Sequence, residues 1–144
     1  MNLSIEIDFN AVREQVASKY ITVRKHPFAD LFIYNYTPRA MYEGYWTPET
    51  MACRGLIANG QDRIVARPFR KFFNVSELEV LPSEPFGIYD KLDGSLCISY
   101  QTDGQIRLAT RGSFESEQAG WANEIFRSKY SGVELDTERF TYLW

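Results

Sequence analysis

The chain has 144 residues, enough for one domain, and its 44% hydrophobic and 24% charged residues exclude a disordered or low-complexity chain. A net charge of −3 excludes a globally basic nucleic-acid footprint, and no apolar run exceeds residues 31–34, which excludes a spanning helix or a secretory hydrophobic region. Two cysteines, Cys53 and Cys97, are too few for a disulfide framework and read as reduced thiols of a cytoplasmic protein.

Phe9, Val12, Val16 and Tyr20 recur at helical spacing, so residues 9–20 predict an amphipathic helix with Asp8 or Asn10 to cap it. Residues 30–37 are aromatic and β-branched and predict a strand, which Pro38 ends. A loop around Thr47-Pro48-Glu49 leads to a second predicted strand over residues 52–58. Asn59-Gly60 then signals a hairpin whose partner strand is residues 63–66. Residues 86–91 and 95–101 predict two more strands, and Asp103-Gly104 turns the chain into a third over 105–110. Ser113 or Ser116 caps a helix to about Tyr130, with Ala119, Ala122, Ile125 and Phe126 on its inner side; Ser131-Gly132 breaks it. Residues 140–144 begin a strand that needs a partner, so an exposed sheet edge and association with a second copy are expected. Hairpins interleaved with two helices give an α+β domain, mainly antiparallel sheet with flanking helices.

Charge is uneven along the chain: residues 1–53 sum to −1, residues 54–111 to +1 and residues 112–144 to −3. Arg63, Arg67, Arg70 and Lys71 follow one another with no acid between them. Such a strip can meet phosphates, although a solvated strand edge is the simpler reading. Most of the 22 aromatic residues should be core, with stacking on a base a use for a few; Trp46 and Trp121 read as core or interface.

Lys91-Leu92-Asp93-Gly94-Ser95 sits between two predicted strands. A lysine at a hairpin mouth packs poorly, because its ammonium must stay wet or paired. As a free amine it is a nucleophile toward phosphorus, and Gly94 permits close backbone approach to a ligand. The plain alternative is a surface turn with an ordinary Lys–Asp pair.

Flanking motifs weigh on that choice. Arg54-Gly55 lies upstream, followed by Arg67-Pro68-Phe69-Arg70-Lys71-Phe72-Phe73-Asn74; Thr110-Arg111-Gly112-Ser113-Phe114 lies downstream. The Lys91–Ser95 string resembles the lysine signature of the covalent nucleotidyltransferases, and together with these flanking motifs it resembles the bacteriophage-type ATP-dependent RNA ligases that repair cleaved tRNA anticodon loops. The resemblance covers about residues 52–144 and implies a partial nucleotidyltransferase (ATP-grasp-like ligase) domain. It makes Lys91 the nucleophile that takes AMP from ATP. Arg54 and Lys71 would hold the ATP phosphates, and Phe73 would support the pocket wall. Asp93 and Gly94 would orient the lysine and admit the nucleotide. Arg111 stands where the family usually carries lysine and would contact phosphate or ribose, now with a guanidinium fork. Mg²⁺ is expected with ATP, and RNA 5′-phosphate and 3′-hydroxyl ends as substrate. The family's metal-binding glutamates and later lysines have no counterpart here, so residues 1–144 are expected to be the N-terminal portion of the adenylyltransferase domain. A non-catalytic nucleotide- or RNA-binding remnant is the competing expectation.

Other residues read plainly. His26 is the sole histidine, which excludes a histidine-based triad, and it is expected to be exposed or capping. Nothing has zinc-ligand spacing. Cys53 and Cys97 fall in predicted strands as structural thiols, and Glu115, Glu117 and Glu124 fit a solvated helix face.

Overall fold

The computed structural model describes residues 6–144. Its first helix, α1 (Phe9–Ala17), begins where Asp8 accepts hydrogen bonds from the Asn10 and Ala11 amides and buries Phe9, Val12 and Gln15. β1 (Ile21–Lys25), β2 (Leu31–Tyr36), β3 (Arg54–Asn59) and β4 (Ile64–Ala66) form an antiparallel sheet in chain order. Between β2 and β3 lie two short helices, α2 (Pro38–Tyr42) and α3 (Pro48–Ala52). Each starts with a threonine N-cap followed by proline at the first helical position. β5 (Cys97–Thr102) and β6 (Gln105–Thr110) form a separate hairpin, and α4 (Glu117–Lys129) follows, capped by Ser116. Asp103 and Gly104 both have positive φ, 51° and 70°, as the tight turn between β5 and β6 requires. Among the described residues no helix is long and apolar enough to cross a membrane.

Alternation along the strands divides the core into layers. From β2 and β3, Tyr34, Leu56 and Ala58 face α1 and α3, where Phe9, Val12, Ala52 and Cys53 meet them. The opposite residues, Leu31, Ile33 and Ile57, join Ala66 against Ile98, Tyr100, Ala109 and Phe114, so the two sheets pack face to face. On the far side of the hairpin, Cys97 and Leu108 pack on Phe126 of α4. Asn123 of α4 reinforces that contact by acting as a strand partner: it accepts from the Leu108 amide at 2.9 Å and donates to the Leu108 carbonyl at 2.7 Å.

A bulge in β3 joins the sheets. Asn35 pairs with Arg54 and Tyr34 with Leu56, which leaves Gly55 as the extra residue, at φ +90°. A Cβ there would run into the Ile98 side chain and lie 3.3 Å from both the Cα and the carbonyl oxygen of Arg111. Only glycine permits this approach, which sets Arg54 of the first sheet beside the chain leaving β6.

Several expectations change. Residues 86–91 form no strand; they are exposed within a long irregular strap, residues 67–96, whose one regular element is the 3-10 turn Val75–Glu77. Strand propensity needs a partner, and both edges of β5 are taken. β6 holds one, and the C-terminal run holds the other through reciprocal Cys97–Trp144 backbone bonds of 3.0 and 2.9 Å and an Ile98–Leu143 bridge. The terminal run therefore has the partner it was expected to lack. β1 escaped notice because only Ile21 is buried, so its burial has no alternation. Trp121 is exposed, not core, and Ile125 is exposed on α4. His26 is buried: its Nδ1 accepts from the Phe28 and Ala29 amides, so Nε2 carries the proton and donates to Tyr100 Oη at 3.2 Å.

Replacing Gly55 with alanine combines left-handed strain with overpacking, and should lower stability by about 2–5 kcal/mol in urea unfolding. Gly104→Ala, at φ +70° with open space around it, should cost only about 1 kcal/mol. A second expectation concerns pH. Burial, then the nearby Arg107 charge, lowers the His26 pKa below its ordinary 6.5. The unfolded chain thus binds a proton before the folded one does, so stability should fall as pH drops from 7.5 through 6.5 toward the lower folded value. His26 is the sole histidine, and His26→Gln should flatten urea midpoints between pH 7.5 and 5.5.

Candidate active site

Four chain segments converge beside the bulge. Tyr36 ends β2, and Trp46 precedes α3. Lys71 and Phe73 lie on the strap, which is pinned by a 2.7 Å bond from the Lys71 amide to the Met51 carbonyl. Arg111 follows β6. Three rings stand edge to face: Tyr36 on Trp46 at 5.1 Å and Trp46 on Phe73 at 5.8 Å between centroids. Cations cap this stack. Lys71 Nζ sits 4.3 Å from the Phe73 centroid and 5.5 Å from that of Trp46, and donates to the Phe72 carbonyl at 2.7 Å. The Arg111 guanidinium lies 5.3 Å from the Tyr36 ring and donates to its hydroxyl at 3.3 Å. Arg54 covers Phe72 at 5.0 Å.

None of these three cations has a carboxylate partner among the described residues, where the ion pairs are Arg13–Asp62, Arg39–Glu43, Lys91–Asp93 and Arg139–Asp136. Aromatic faces fix a cation by its attraction to the ring quadrupole, worth about 0.5–1 kcal/mol at an exposed site, without cancelling its charge. Ordered ammonium and guanidinium groups without a carboxylate beside them can accept an anion without first giving up a partner.

Of the residues expected to act together, Arg54, Lys71, Phe73 and Arg111 gather here, with Arg54 linked through Phe72 and through the Gly55–Arg111 approach. Lys91, Asp93 and Gly94 do not. Lys91 is exposed on the strap with 89% of its side chain accessible, and its ammonium meets only Asp93, at 3.8 Å. Gly94 has φ +152°, at the limit of the region that favours glycine, and a Cβ on it would meet nothing within 4 Å. Trp46 and Tyr36 are the site residues that sequence reasoning missed. A half-buried tryptophan in a loop carries no periodic signal, and only the fold brings it to Phe73.

A family model described as RNA ligase matches residues 52–143. The chain is 32% identical over 130 residues to a protein of Autographa californica nuclear polyhedrosis virus named as a putative bifunctional polynucleotide kinase/RNA ligase, covering 81% of this chain and 18% of that one. It is 28% identical over 133 residues to a protein of Thermovibrio ammonificans named as a putative RNA ligase, covering 88% of this chain and 33% of the relative. RNA ligase 1 of bacteriophage TS2126 is 31% identical over 94 residues, 53% of this chain and 24% of its own length. The chain thus spans a third or less of these relatives.

The thiols take no part. Cys53, next to Arg54, and Cys97, at the end of the strap, are both buried and free. Burial pushes the Cys53 thiol up to about 12 and raises that of Cys97 as well. Both should resist a disulfide thiol reagent at pH 7.5 in the folded chain and react promptly in 6 M guanidinium; fast reaction of Cys53 under native conditions would contradict the packing beneath Arg54.

Proposed function

The chain belongs to the phage-type RNA ligase family, and from that membership we propose that it carries the lysine-adenylating half-site of an ATP-dependent RNA ligase of the covalent nucleotidyltransferase type. In this reading the Lys91 amine attacks the α-phosphorus of ATP. A nitrogen–phosphorus bond forms, the bond to the bridging oxygen breaks, pyrophosphate leaves and the amine proton passes to solvent. AMP then moves from Lys91 to an RNA 5′-phosphate, tRNA ends among the candidates, and a 3′-hydroxyl displaces it to seal the strand. Arg54, Lys71 and Arg111 hold the polyphosphate and stabilise the charge on departing pyrophosphate, and Phe73 walls the site. Asp93 orients Lys91, and Gly94 allows the nucleotide to come close.

The observation that carries the reading is the set of unneutralised cations on the Tyr36–Trp46–Phe73 stack, which coincides with the residues the family resemblance marks for phosphate. For Lys91 to reach a phosphate held there, the exposed strap must fold onto the cluster. Mg²⁺ fits less well: among the described residues no three histidine, cysteine, aspartate or glutamate side chains come together, and no step is routed through the ion. The exposure of Lys91 favours a second reading, a nucleotide- or RNA-binding unit that does not adenylate itself.

Incubation with α-labelled ATP and Mg²⁺, followed by denaturing electrophoresis, separates the two. Adenylation predicts acid-labile label that disappears in Lys91→Ala and falls roughly 10–100-fold in Lys71→Ala and Arg111→Ala, the cost of losing a charged phosphate contact. Saturable ATP binding without label supports the binding unit; label that survives in Lys91→Ala removes that lysine from the role.

A further inference from the structure

The cation cluster depends on two side chains that themselves carry no charge. Trp46 touches three members of the site at once: Phe73 and Tyr36 through ring edges, and Lys71 through its face. Tyr36 continues the chain of contacts to Arg111 by its ring and its hydroxyl. Lys71 and Arg111 belong to segments forty residues apart, and the described contacts between their side chains run through this pair of rings.

Both rings are anchored from below. Tyr36 is buried, and its amide donates to the Cys53 carbonyl at 2.7 Å. Trp46 is half-buried directly before Thr47, the N-cap of α3, whose hydroxyl accepts from the Thr50 amide at 3.1 Å while the Thr47 amide donates to Thr50 Oγ1 at 2.7 Å. That reciprocal capping box fixes the start of α3 and with it the backbone on which Trp46 stands. The same helix supplies the Met51 carbonyl that holds the Lys71 amide. Lys71 is thus located twice from one element, through its backbone and through its ammonium.

We propose that Trp46, backed by Tyr36, is a positioning residue that sets the spacing of Lys71 and Arg111 for a polyphosphate chain. This rests on the ligase reading only for the identity of the natural ligand; the positioning itself is a property of the free protein. A long amine on an irregular strap loses much rotamer freedom when it must grip an anion, and a ring that holds it beforehand removes that loss from binding. The ring face also keeps the ammonium available, as a carboxylate would not.

The test uses the full chain and inorganic tripolyphosphate. Lysine side-chain NMR signals, with Lys71 assigned from its loss in Lys71→Arg, should show the upfield ring-current displacement of an ammonium stem over two aromatic faces. Trp46→Leu should diminish that displacement, leaving the part due to the nearer Phe73 ring, and weaken tripolyphosphate binding about tenfold, whereas Trp46→Phe should keep affinity within about twofold. Trp46→Leu combined with Lys71→Met should cost less than the two singly added, because both act through one contact. Undiminished displacement in Trp46→Leu, additive losses, or no saturable tripolyphosphate binding by the wild type would each overturn the proposal. If Trp46→Leu does not fold, Trp46→Met, which keeps more of the volume but no ring, carries the same comparison against Trp46→Phe. Failure of the ligase reading looks different: Lys91 takes no label from ATP while the Lys71 displacement and tripolyphosphate binding remain.

Discussion

The contact on which the molecule turns is the close passage of Gly55 against Ile98 and the Arg111 backbone. A β-strand with a side chain at that position would hold the two sheets apart by a methyl group's width, and the layer of Leu31, Ile33 and Ile57 against Ile98, Tyr100 and Ala109 would not close. The bulge that frees Gly55 from the ladder also turns Arg54 toward the strap. A single irregularity in β3 therefore serves the core and the site together. Regular strands give layers, while a bulge gives a strand a second direction.

The site shows how a protein keeps positive charge ready. Pairing lysine or arginine with a carboxylate would order it equally well, but an arriving anion would then have to displace that partner. Rings offer a weaker hold that an anion need not break. The three cations lie on Phe72, Phe73, Trp46 and Tyr36, which explains a use of aromatic residues that the core does not require. Elsewhere the same chain uses carboxylates freely, as in the Arg13–Asp62 and Arg39–Glu43 pairs, where no ligand chemistry is implied.

Much of this was legible in the residues and some was not, for physical reasons. α1 and α4 follow from periodicity and capping because their burial is one-sided, whereas β2 and β6, buried on both faces, show only through the aromatic, β-branched run of the one and the Asp103-Gly104 turn before the other. Helices α2 and α3 are five residues each, too short for a helical period, and their only advance sign is the Thr-Pro pair at each start. The strand expected over residues 86–91 has the right composition, but pairing is decided by competition, and the terminal run won the β5 edge. In the site, Arg54, Lys71, Phe73 and Arg111 were legible from motif order. Trp46 and Tyr36 were not, since edge-to-face contacts between distant segments leave no mark on local sequence. His26 does cap, its Nδ1 accepting from the Phe28 and Ala29 amides, but it is buried rather than exposed, because a lone polar residue gives no hint that a tyrosine hydroxyl will satisfy its other nitrogen in the interior.

Residues 67–96 join β4 to β5 with hardly any regular structure, yet the halves they connect are held by the inter-sheet core and by the bond from the Arg67 amide to Thr141 Oγ1. Covalent continuity through the middle of the strap contributes little to that assembly beyond raising the local concentration of one half near the other. A cut in the exposed stretch after the 3-10 turn would leave two pieces that still recognise each other, as in a split reporter, with the lysine-bearing end free to move on the second piece. Up to Phe73 the segment belongs to the site; between there and β5 its exposed stretch is a tether whose length sets only how far Lys91 can reach.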